Sequence, residues 1–187
     1  MDPAPERAGI GILDRLIGPG STGPERLRIA AAAFGGLCLG GLTVSAPLPA
    51  TLALALMTAE LTAGIACSLT DSGKAWQHRP TRTPLDHLLV AALNLIPMAL
   101  FVWLFRDGDP VRLAVASIFL IGGAIAVQVA PSISQRAVGL VGVLVAMVTL
   151  EQTVGLVREA AWFLPLLYTR VLIAYLPAPR PPETETP

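Results

Sequence analysis

The sequence predicts an all-α protein, a polytopic transmembrane helical bundle of about six spans with both chain ends on the cytoplasmic side. Three observations predict it. Apolar residues make up 53% of the 187-residue chain and charged residues only 14%, where an average soluble domain carries roughly 25% charge. The apolar residues come in blocks long enough to cross about 30 Å of hydrocarbon, and they neither alternate nor leave a polar stripe. Lys and Arg are shared unevenly between successive connections. With the N-terminus inside, Arg7, Arg15, Arg26, Arg28, Lys74, Arg79, Arg82, Arg136 and Arg180 fall on inner segments, and only Arg106, Arg112 and Arg158 on outer ones. Setting Arg170 aside, that bias orients the bundle.

Three regions follow. Residues 1–23 form a cytoplasmic segment in which Ile10, Leu13, Leu16 and Ile17 share one helical face, so residues 6–17 read as an amphipathic helix on the inner surface or as a partly ordered tail. The charges of Asp2, Glu6, Arg7, Asp14 and Arg15 leave no continuous apolar core there, and no cleavable signal peptide is expected. Residues 24–176 form the helical membrane domain. Residues 177–187, with five prolines, read as a disordered tail.

Span 1 covers about 27–46, with Pro24 and Glu25 suited to a first helical turn. Its Gly36 and Gly40 stand four apart and let a second helix approach closely. Pro47-Leu48-Pro49 makes a tight outer hairpin. Span 2 covers about 49–69 and leads into a polar loop containing Asp71, Lys74, Trp76, His78, Arg79 and Arg82. Thr83-Pro84-Leu85-Asp86 reads as a capping box opening span 3, which runs to Phe105 with Asn94 and Pro97 inside. Asp109 caps span 4, about 111–130, where Gly122-Gly123 marks a second close approach. Ser132 to Gln135 offers a capping pattern for span 5, about 137–157. Span 6, about 160–176, is short and holds Pro165 and Arg170. A five-span alternative has that segment only dipping into the membrane.

The zero net charge gives no electrostatic footprint for nucleic acid. Cys38 and Cys67 differ in depth by roughly 13 Å and read as small apolar packing residues, not as a disulfide. No zinc-type or haem-type spacing is present, so neither metal nor cofactor is expected. His78 and His87 are nine apart and read as solvated interfacial residues.

Charge inside hydrocarbon is costly, so Glu60, Glu151 and Arg170 are the candidates for chemistry. Glu60 stands mid-span, too deep to reach either interface, where burial favours a neutral acid able to donate a proton. The structural alternative is a hydrogen bond to a neighbouring helix, with Asn94 at a matching depth. Glu151 stands about 9 Å from the outer end of span 5. Arg170 is placed to snorkel to the inner interface, or, more sharply, to pair with Glu60 or a ligand phosphate. Aromatic residues near span ends (Trp76, Trp103, Trp162 and Tyr168) complete the set.

An acid in an early span, Glu60, an acid in a late span, Glu151, and those four aromatic residues resemble the small integral-membrane terpene cyclases, which act on prenylated substrates without a metal. The resemblance implies Glu60 as proton donor, Glu151 as second acid or cation stabiliser, and Asn94, Trp76, Trp103, Trp162, Tyr168 and Arg170 as substrate contacts. The expected partners are then the lipid bilayer of the cell membrane and a hydrophobic small molecule. Two other readings stand beside this one. A small proton-coupled transporter would use Glu60 and Glu151 at corresponding positions of two inverted halves. A non-catalytic membrane subunit would use the Gly-rich spans for partner helices or oligomerisation.

Overall fold

The computed structural model describes residues 17–155 and 158–179. The amphipathic stretch 6–17, apart from Ile17, and tail residues 180–187 lie outside the described residues. The described residues form helices joined by turns and short loops, with no strand among them. In chain order they form α1 (Gly23–Leu42), α2 (Leu48–Ser68), α3 (Asp71–Gln77), α4 (Pro84–Leu93), α5 (Leu95–Phe105), α6 (Pro110–Val129) and α7 (Gln135–Val154). A 3-10 turn at Arg158–Ala160 leads to α8 (Phe163–Tyr168), which continues into a π-helix at Thr169–Tyr175.

Four segments are long and apolar enough to cross a membrane: α2, α4 with α5, α6 and α7. The other two expected spans differ. Helix α1 begins four residues earlier than expected, and so takes in the charged residues Glu25, Arg26 and Arg28. The last helix, Phe163–Tyr175, is apolar but shorter than a full span.

Local sequence explains the ends. Thr22, not anticipated, caps α1 through a reciprocal box with Glu25, and Thr83 and Asp86 form the expected box on α4. Asp109 accepts from Val111 and Arg112 at the start of α6. The capping pattern expected before α7 is not used, because Ser134 Oγ donates back to the Pro131 carbonyl instead. The polar loop after α2 contains the short helix α3, capped by Thr70.

The short last helix is the centre of the bundle. Phe163, Leu167, Tyr168 and Leu172 are fully buried, and it packs on α2, α6 and α7. A helix apolar all round belongs inside a bundle. Protein rather than lipid surrounds it, so it needs no full membrane-spanning length. Glycines admit it. A Cβ on Gly139 would lie 3.0 Å from the Leu172 carbonyl carbon, and one on Gly123 would lie 2.9 Å from Leu172 Cδ1. Gly122 faces open space, so only one of the pair is a contact. Tyr168 Oη donates to the Ala116 carbonyl at 2.6 Å, tying the helix to α6. Gly36 and Gly40 lie against Thr58 and Ala55, so the expected close approach of α1 to α2 is present.

Candidate functional site

The site begins with an interruption. Pro97 has no N–H to give the Leu93 carbonyl, and its ring crowds that position. The third span breaks there into α4 and α5, with Asn94 as hinge at φ −73° and ψ −6°. Asn94 turns its amide nitrogen back to the Val90 carbonyl at 2.7 Å. Its Oδ1 is thereby left facing the bundle, where Arg170 Nη1 donates to it at 2.6 Å.

Arg170 stands where α8 has widened into π turns, with Leu176 N bonded to the Val171 carbonyl at 3.0 Å. Single π turns recur at functional sites. Its Nη2 donates to Glu60 Oε1 on α2 in an ion pair. One guanidinium fork thus bridges α2 and the α4–α5 break. Gly64, one turn from Glu60 on the same face, makes room: a Cβ there would sit 3.0 Å from Arg170 Cζ. Arg170 therefore does not snorkel to the interface. Glu60 is neither buried nor bonded directly to Asn94: its side chain is 57% exposed, against 20% for Arg170.

Both side chains line a cavity of about 580 Å³. Ile29, Glu60, Gly64, Asn94 and Arg170 are among its lining residues, with Cys67, Ser68, Gln77 and Tyr175 at the end nearer the loop after α2. Glu60 lies about 12 Å of helix from the inner end of α2. Mostly apolar walls with a few convergent polar groups are the usual form of a small-molecule site. A second depression of about 540 Å³, bounded by Pro19, Arg28 and Asp71, lies at the inner surface, away from the ion pair.

The remaining candidates lie elsewhere. Glu151 is exposed near the end of α7. Trp76 carries the Arg79 guanidinium 3.9 Å above its ring. Trp103 faces outward from α5, Trp162 meets Phe163 edge-on at 6.2 Å, and Tyr168 is buried against α6. None of these five is among the residues lining the cavity. Of the sequence candidates, the structure brings together Glu60, Asn94 and Arg170. Gly64, Ser68 and Gln77 were missed. The i, i+4 relation of Gly64 to Glu60 was the available signal for the first.

A second polar cluster closes the inner end. Lys74 Nζ donates to the carbonyls of Ala174 at 2.7 Å and Tyr175 at 2.9 Å, capping the last helix with a cation. His78 Nε2 also bonds the Tyr175 carbonyl, at 3.0 Å, and His87 Nδ1 the Tyr175 hydroxyl, at 3.1 Å. The two imidazoles stack with centroids 4.7 Å apart. They are therefore half-buried neighbours, not separate solvated residues. Burial pushes His78 down to about 4, against the opposing bond to Tyr175, with Lys74 and His87 adding to the shift. Burial, and secondarily Arg136, lowers Lys74 to about 8. No group of three metal-ligating side chains occurs among the described residues.

Fold and site together define, among the described residues, an all-helical arrangement with four segments long and apolar enough to cross a membrane and an ion pair set in a cavity between helices. Neither protein-family models, nor characterised proteins, nor solved structures gave a match to this chain.

Proposed function

We propose that this chain is a membrane enzyme that takes a lipophilic prenyl-type molecule into the inner-half cavity and performs metal-independent acid–base chemistry on it at Glu60. The observation that carries this reading is Glu60 itself: a carboxyl group open to a largely apolar cavity and backed by a cation. In acid-initiated cyclisation, the protonated Glu60 carboxyl gives its proton to an olefin or epoxide. The carboxylate formed is then paired by Arg170, the arrangement described above. The final carbocation returns a proton to that carboxylate and the cycle closes. Asn94 holds the Arg170 fork in place. Aromatic stabilisation of the cation is not supplied by Trp76, Trp103, Trp162 or Tyr168 in this arrangement, since none lines the cavity, so the reading rests on Glu60 and not on Glu151. Replacing Glu60 by Gln is expected to abolish conversion of a prenyl substrate while the protein still inserts. Full activity in that variant overturns the proposal.

A proton-coupled transporter is the second reading, favoured by one observation. Two interrupted helices, the break at Asn94 and the π segment at Arg170, meet through the Arg170–Asn94 bond, as discontinuous helices meet in transporters. Proton-dependent uptake into liposomes that vanishes on Glu60→Gln distinguishes it.

A further inference from the structure

The polar groups of the cavity differ in what they have left to offer a ligand. Arg170 gives one N–H of Nη1 to Asn94 and one of Nη2 to Glu60, and its guanidinium lies close against Gly64. Asn94 has its amide nitrogen on Val90 and its oxygen on Arg170. Both terminal nitrogens of Arg170 and the Asn94 amide thus already hold a protein partner, with further guanidinium N–H groups left over. Glu60 is the opposite case. Among the described residues it accepts from Arg170 alone, its side chain is 57% exposed, and it lines the cavity. At the inner end, Gln77 gives its amide nitrogen to Ser68 Oγ at 3.0 Å, while its Oε1 is buried without a partner. The accessible acceptor with open capacity in the cavity is thus the Glu60 carboxylate.

Charge narrows the choice further. Glu60 and Arg170 cancel, so a cationic head would sit beside Arg170 without a free counter-charge. An anionic head taking the remaining N–H groups of Arg170 would stand beside the Glu60 carboxylate and be repelled by it. A neutral donor meets neither cost.

We infer that the cavity selects lipophiles whose polar head is an uncharged hydrogen-bond donor, namely a hydroxyl, bonded to the free carboxylate face of Glu60. This deepens the reading of the cavity as a lipophile site and rests on it. The apolar tail lies along Ile29, Val90 and Val171. A hydrogen bond to a charged acceptor is worth about 1.5–3 kcal/mol, roughly ten- to a hundredfold in affinity.

The test is a head-group series on the full chain in nanodiscs, with binding of farnesol, farnesylamine and farnesyl phosphate followed by calorimetry. Farnesol is expected to bind at least about tenfold tighter than either charged analogue. Glu60→Ala is expected to weaken farnesol about tenfold, and Glu60→Gln, which keeps an acceptor, by no more than about threefold, with unchanged helical circular dichroism. Tighter binding of the phosphate or the amine overturns the head-group inference and leaves the lipophile site standing. Equal farnesol affinity in Glu60→Ala also overturns it. Binding of none of the three overturns the inference and the site together.

Discussion

Arg170, on the buried last helix, donates to the carboxylate of Glu60, 110 residues earlier in the chain, and in doing so bridges two helices across a cavity. A charge within hydrocarbon depth is tolerable when it faces protein and meets its opposite. The pair therefore accounts for both residues at once, where each alone had no partner.

Removing one member should cost more than removing both. Arg170→Met leaves Glu60 without its counter-ion and Asn94 without its donor. With Glu60 more than half exposed, the loss is expected to be about 1–2 kcal/mol, below that of a fully buried pair. The double variant Glu60→Gln with Arg170→Met should recover part of it. Thermal unfolding in detergent checks the order, and a double variant less stable than Arg170→Met contradicts it.

Gly64→Ala tests the geometry without touching a charge. The added methyl meets the Arg170 guanidinium, the mobile end of a long side chain, so the side chain shifts and the fold survives. Stability is expected to change by less than about 1 kcal/mol while activity falls about tenfold or more. Wild-type activity would show that Arg170 keeps its place or does not matter.

Two other glycines should differ sharply. Gly139→Ala drives a methyl into the Leu172 backbone, which cannot move aside, and should cost about 1–3 kcal/mol or prevent assembly. Gly122→Ala meets nothing within 4 Å and should be neutral or stabilising by up to about 1 kcal/mol. Melting temperatures of the two variants, measured side by side, check the contrast.

Acidification should loosen the inner end. His78 titrates near 4 in the folded protein because burial disfavours its cation, and near 6.5 when unfolded. The unfolded chain therefore binds more protons between those values, and stability falls as pH drops from about 6.5 towards 4. Lys74 and His87 beside it, as cations, act in the same direction. His78→Gln should flatten the melting temperature across that window, and an unchanged slope assigns the loss to other groups.

The sequence alone determined much of the frame. Long apolar blocks require helices, since a bilayer leaves backbone groups no other partner. Thr83, Asp86 and Asp109 marked helix starts because capping acts over a few residues. Glu60 and Arg170 stood out by the cost of charge at their depth, and Asn94 by matching Glu60.

Only the tertiary structure decided what those residues do. Arg170 reads from sequence as able to snorkel, because the cavity in front of it is built from α1, α2, the α4–α5 break and the last helix together. The stacking of His78 on His87 and the capping role of Lys74 arise only when the last helix returns to the inner loop. The short length of that helix suggested a marginal sixth span. Its place at the centre follows from facing glycines and from a surface apolar all round, a property of packing between distant segments that no local pattern encodes.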